Sequence, residues 1–96
     1  MSPFNKKKLY LLRSKLDKID SELLKIIKKR SYLVNEVLKL KVLKNEIIDH
    51  RRINFILKKI KKKSIQQKID PKITNRIWKN MIWAFIDYEN RNFKKK

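Results

Sequence analysis

The first forty residues of the chain carry apolar side chains at a spacing of three and four. They occur at Leu9, Leu12, Leu16, Ile19, Leu23, Ile26, Ile27, Leu33, Val34, Val37 and Leu40. This spacing is typical of one face of a helix, and the stretch from about Lys6 to Lys44 contains neither Pro nor Gly. The pattern therefore predicts one helix of about forty residues. One small domain cannot cover so long an apolar stripe, which favours a helical partner and a dimer.

Two further helices are predicted after an interruption at residues 44–49. The second runs from about His50 to Lys63. Its inward face carries Ile53, Ile56, Leu57 and Ile60. Asp70 followed by Pro71 predicts the start of a third helix, since aspartate caps helix N-termini and proline suits the first helical position. This helix reaches about Asn92. With no strand pattern, we predict an all-α fold of one very long, one short and one medium helix.

The amino-acid composition excludes several classes of protein function. The 96 residues predict a single helical domain over 1–96, with a core at about 9–92 and a basic tail at 93–96. Because glycine is absent, the chain has no phosphate-cradling loop and no dinucleotide fingerprint. The absence of cysteine fits a reducing compartment. No apolar run approaches the roughly 20 residues of a membrane span, so we expect a soluble, cytoplasmic protein.

The formal net charge of +19 has two competing interpretations. It can indicate a nucleic-acid surface, in which lysines displace counterions from phosphates. It can also follow from biased composition, since the chain is rich in Lys, Ile and Asn and its lysines are scattered. We favour biased composition, and keep a small basic nucleic-acid-binding protein as the alternative of another class. Under that bias, the few arginines are more informative than the many lysines.

The spacing of three basic residues predicts an anion pocket. Arg13 and Arg30 are about 25 Å apart along a helix and about 100° apart around its axis, so one small ligand cannot touch both. Arg30 and Lys41 share a helix face at a separation of about 16 Å, and both can reach toward a ligand between them. Arg13 can join this pocket only from an antiparallel partner chain.

Four pieces of the sequence together resemble the all-helical chorismate mutase family. They are LRSKLDKIDSELLKIIKKR at 12–30, Lys41, DHRR at 49–52 and IDPKITNRIWKNMIWAFIDYE at 69–89, and the resemblance spans about Leu9 to Asn90. It implies an intertwined helical-bundle homodimer that converts chorismate to prephenate for phenylalanine and tyrosine synthesis. This unimolecular pericyclic rearrangement needs no nucleophile, metal or cofactor.

The resemblance implies roles for the three basic residues. Arg13 would enter the partner's active site and bind one substrate carboxylate, and Arg30 would bind the other carboxylate in its own subunit. A planar guanidinium binds a carboxylate with two parallel hydrogen bonds, which explains arginine where the chain otherwise uses lysine. Lys41 resembles the lysine that donates to the ether oxygen of the breaking bond.

The resemblance also implies roles for four residues later in the chain. Asp49 and Arg52 match positions that contact the ring hydroxyl and order the site, and Phe85 is a further substrate contact. Glu89 stands where many members have a glutamine that donates to the ether oxygen. An ionised glutamate has no proton to donate, whereas a protonated one does. We therefore expect activity to rise at acidic pH, although apolar neighbours and nearby cations act on this carboxyl in opposite directions.

A second departure from the family pattern leaves the substrate open. Many members have a glutamate directly after the second-helix arginine, and this chain has Ile53. This residue and the short spacing from Lys41 to Arg52 resemble the related isochorismate pyruvate lyases. Asp49, by contrast, is mutase-like. We predict a chorismate mutase, with an isochorismate pyruvate lyase on the same fold as the nearest alternative.

Overall fold

Three helices account for most of the structure, a computed structural model that describes residues 1–95. Helix α1 spans Pro3–Leu40, α2 spans His50–Gln66 and α3 spans Pro71–Asn92, and a short 3₁₀ turn occupies Lys44–Glu46. No strand occurs within residues 1–95. The predicted all-α fold with one very long and two shorter helices is confirmed.

The chain divides into two compact units, Met1–Leu33 and Val34–Lys96, which we describe separately. In the first unit, the Ser2 hydroxyl accepts a hydrogen bond from the Asn5 N–H at 3.1 Å and so caps the start of α1. Apolar side chains of the predicted stripe lie in solvent, and Leu16 and Ile19 are each 57% exposed. A continuous exposed apolar stripe of this kind marks an interaction surface.

Helix α1 ends at Leu40, before the predicted end near Lys44. The Lys41 N–H donates to the Leu38 carbonyl at 3.1 Å, which tightens the last turn. Immediately afterwards, the Leu43 N–H donates to Glu46 Oε1 at 2.7 Å, and the Glu46 N–H donates to the Leu43 carbonyl at 3.1 Å. With these two hydrogen bonds the backbone forms a short turn instead of continuing α1.

The connection between α2 and α3 combines a helix stop with a helix start. The Ile69 N–H donates to the Ser64 carbonyl at 2.9 Å and the Lys68 N–H donates to the Ile65 carbonyl at 3.1 Å. This Schellman arrangement places Lys68 at a φ of 59°, a position that usually holds glycine. Asp70 Oδ1 then accepts from the Lys72 N–H at 2.9 Å, which confirms the predicted start of α3.

A small core lies in the second unit. It consists of Leu38, Ile47, Ile82 and Ile86, against which Ile53, Ile56, Leu57 and Phe93 pack. The predicted inward face of α2 is thereby confirmed for its first three members. Helices α2 and α3 pack against each other, and the buried hydroxyls of Ser64 and Thr74 form a 2.7 Å hydrogen bond between them. None of the helices within residues 1–95 is both long enough and apolar enough to cross a membrane.

Candidate active site

Lys41 and Glu89 form an ion pair beside the core of the second unit. Lys41 Nζ lies 2.7 Å from Glu89 Oε2. The Glu89 side chain is only 9% exposed and that of Lys41 only 17%. A charge-assisted hydrogen bond this short, with little solvent around it, is much stronger than a pair on the open surface. The pair joins the end of α1 to α3.

The local structure around Lys41 and around Glu89 explains how the two side chains meet. Lys41 follows the last residue of α1, where Leu38 is buried in the core. Glu89 lies on the buried face of α3, three residues after Ile86. Because residues three apart share a helix face, the apolar contacts of Ile86 also turn Glu89 inward. The core that holds these helices together therefore brings the ammonium and the carboxylate to one place.

The ammonium of Lys41 has donors to spare. It also approaches the Ile47 carbonyl at 3.5 Å, which is long for a hydrogen bond. A lysine ammonium carries three N–H donors, of which the contact with Glu89 uses one. The site can therefore offer a further positively charged donor to an anionic or ether oxygen atom of a ligand.

Asp49 and Arg52 lie together at the start of α2. Asp49 Oδ1 accepts a hydrogen bond from the Arg52 N–H at 3.0 Å, so Asp49 is the N-cap of this helix. The Arg52 guanidinium lies over the ring of Phe55, with Cζ 5.4 Å from the ring centroid. Both Asp49 and Arg52 are exposed. The helix cap therefore fixes the backbone from which Arg52 projects.

Phe85 and Ile53 have different surroundings. Phe85 is half-buried on α3, one turn before Glu89. Ile53 is half-buried on α2 and packs against the core. Ile53 thus contributes to packing and presents no hydrogen-bonding group.

The two predicted carboxylate-binding arginines belong to the first unit, Met1–Leu33. Arg13 is exposed on α1 and Arg30 is half-buried on the same helix. That Arg30 and Lys41 share a helix face stays a prediction. Helix α1 ends at Leu40, so Lys41 directly follows its last residue.

The comparison with protein families identifies the chain. Residues 12–90, most of the chain, match the family model described as chorismate mutase type II. The chain belongs to this family. Searches of curated proteins and of solved structures return no match. The resemblance that the four sequence segments indicated is therefore confirmed at the level of the chorismate mutase type II family.

Two contacts in this family member were missed by sequence reasoning. The first is the direct pairing of Lys41 with Glu89, which no local spacing reveals because 48 residues separate them. The second is the stacking of Arg52 on Phe55. The sequence could have indicated this contact, because residues three positions apart on one helix are neighbours on its surface. Within residues 1–95, no group of three or more acidic or histidine side chains is placed to hold a metal ion.

Proposed function

We propose that the protein is a chorismate mutase, which rearranges chorismate to prephenate. Within one molecule, the ether C–O bond breaks while a C–C bond forms, so no group is transferred and no electron is gained or lost. The observation that carries the proposal is the 2.7 Å contact between Lys41 and Glu89. This contact, which is largely shielded from solvent, joins the two residues that the family resemblance assigns to the ether oxygen.

Lys41 is the proposed electrostatic catalyst. Negative charge grows on the ether oxygen as the C–O bond breaks, and a donor fixed beside that oxygen stabilises the transition state more than the ground state. Lys41 is held by Glu89, which leaves ammonium donors for the substrate. Little solvent reaches the pair, and this increases the effect of the positive charge on the substrate.

Glu89 is the proposed second contact with the ether oxygen. As a carboxylate it accepts from Lys41 and offers no donor, whereas the protonated carboxyl offers an O–H and releases one Lys41 donor. Lys41 is the charged group that faces it from the end of α1. On this basis a neutral donor at this position, such as the amide of Glu89→Gln, should serve the ether oxygen better than the carboxylate.

The remaining binding groups are proposed to come from two copies of the chain. Arg30 would bind one substrate carboxylate and Arg13 of a second copy would bind the other, in an intertwined homodimer. The exposed apolar stripe on α1 supports this assembly, because a second copy can bury the side chains that one chain leaves in water. The net charge of +19 would attract the dianionic substrate.

Asp49, Arg52 and Phe85 complete the proposed site as contacts to the ring hydroxyl and ring. We also propose a cytoplasmic location and a role in phenylalanine and tyrosine synthesis, both of which follow from the mutase assignment alone. A second candidate activity is the isochorismate pyruvate lyase reaction. Ile53 favours it, because the side chain packs on the core and supplies no hydroxyl contact.

The test is product analysis with two substrates. Purified protein is incubated separately with chorismate and isochorismate, with Arg30→Ala as the loss variant and Arg76→Ala, on the exposed surface of α3, as the matched control. We expect prephenate from chorismate, a strong loss in Arg30→Ala and no change in Arg76→Ala.

Other products would overturn the proposal in distinct ways. Salicylate and pyruvate from isochorismate, without prephenate, would establish the lyase. No product from either substrate, together with steeply salt-dependent binding to arbitrary DNA, would favour the nucleic-acid alternative.

A further inference from the structure

Phe55 is an exposed aromatic residue in the middle of a strongly basic helix. Its side chain is 54% exposed on α2. The Arg52 guanidinium carbon lies 5.4 Å from the ring centroid, and Lys59 Nζ lies 5.8 Å from it. Both distances are within the range of a cation–π interaction, in which the negative face of the ring attracts a positive charge. The ring is therefore a contact point for two cations.

Contacts at the start of α2 restrain both the backbone N–H and the guanidinium of Arg52. The backbone N–H is bonded to the Asp49 carboxylate at 3.0 Å, and the guanidinium lies on Phe55 one turn later. An arginine side chain has many rotamers, and ordering them when a ligand binds reduces affinity. A side chain that is ordered before the ligand arrives avoids much of that loss.

The charge around Phe55 makes the ring more important for Arg52. Other exposed cations on the same helix are Arg51, Lys58, Lys59, Lys61, Lys62 and Lys63. Like charges repel, so the field of this helix tends to drive the Arg52 guanidinium outward into solvent. The attraction between the ring face and the guanidinium opposes this repulsion.

We propose that Phe55 is a positioning residue that holds Arg52 in the orientation in which it binds the substrate. The inference rests on the proposed function, in which Arg52 contacts the substrate. Phe55 itself touches no reacting atom and acts through the guanidinium. Lys59 is the second cation within reach of this ring, so its removal leaves Arg52 as the cation of the pair that remains near it.

The kinetic test compares Phe55→Leu, which removes the ring face, with Phe55→Trp, which keeps one. An exposed cation–π contact favours the ordered arrangement by a factor of about two to five. Since Arg52 would bind substrate and transition state alike, we expect Phe55→Leu to raise KM two- to fivefold with kcat nearly unchanged. Phe55→Trp should retain the wild-type KM, and Lys59→Gln should leave it equal or lower.

A double-mutant cycle tests whether the effect passes through Arg52. In an Arg52→Ala background, Phe55→Leu should have no further effect on KM. Ile65→Ala removes an exposed apolar side chain from the same helix without a ring and is the matched control. Circular dichroism and size-exclusion chromatography on every variant check that helix content and oligomeric state are unchanged.

A spectroscopic readout separates this inference from the proposed function. The Phe55 ring current should shift the side-chain NMR signals of Arg52 upfield, and Phe55→Leu should abolish the shift while Phe55→Trp preserves it. An unshifted Arg52 signal in the wild type would overturn the inference, as would a Phe55→Leu defect that persists in Arg52→Ala. A protein that converts neither substrate yet shows the shifted signal would overturn only the proposed function.

Discussion

Removal of either partner of the Lys41–Glu89 pair should destabilise the fold, whereas removal of both should not. At 2.7 Å the gross Coulomb attraction is about 6 kcal/mol for an effective dielectric constant of about 20. Transfer of each ion from water into the protein costs several kcal/mol, so the two contributions nearly cancel. Loss of one partner leaves a desolvated charge without its counter-ion.

The expected losses follow from the residual exposure of the two side chains. Breaking a fully buried pair costs about 3 to 5 kcal/mol, and the slight exposure here points to the lower end of that range. We expect Lys41→Met and Glu89→Met each to lower the free energy of unfolding by about 3 kcal/mol. The double variant should lie within about 1 kcal/mol of the wild type, because methionine fills a similar volume without a charge.

Urea unfolding followed by tryptophan fluorescence measures these differences, at a fixed protomer concentration because any dimer links stability to concentration. The exposed pair of Asp87 and Arg91 on α3, with a 3.0 Å contact, is the matched control. Methionine at both of those positions should reveal a coupling below about 1 kcal/mol. Additive losses at Lys41 and Glu89, or single losses as small as those of the control, would refute the reasoning.

Three further predictions concern the site and the fold. Glu89→Gln should raise kcat, because the glutamine amide offers an N–H donor to the ether oxygen where the carboxylate offers none; an unchanged or lower kcat would contradict this. Arg13→Ala and Arg30→Ala should each be nearly inactive, yet after subunit exchange an equal mixture should regain about a quarter of the wild-type sites, since half of the dimers are mixed and each has one intact site. No recovery after verified exchange would eliminate the shared site. Lys68→Gly should raise the free energy of unfolding in urea by about 0.5 to 1 kcal/mol, because glycine adopts a positive φ without a steric penalty, and a loss of stability would count against this account.

Local chemistry in the sequence was sufficient to predict the helices. The apolar period of α1, the uninterrupted run without Pro or Gly, and the Asp70–Pro71 pair all act within a few residues, so a reader of the sequence can evaluate them directly. The resemblance to the family could also be seen in the sequence, because it rests on short segments such as residues 12–30 and 69–89. The match over residues 12–90 confirms that reading.

The tertiary structure decided where these elements stop and which side chains meet. The end of α1 at Leu40 depends on the hydrogen bonds between Leu43 and Glu46, which form in place of further helical bonds. These bonds do not change the spacing of apolar residues, so the sequence pattern does not reveal them. The pairing of Lys41 with Glu89 depends on a core that holds α3 beside the end of α1. Helix propensity and capping are local, whereas a buried ion pair forms only when packing brings distant residues together and removes water from them. The sequence alone therefore indicated the family, and the fold brought Lys41 and Glu89 together as an ion pair.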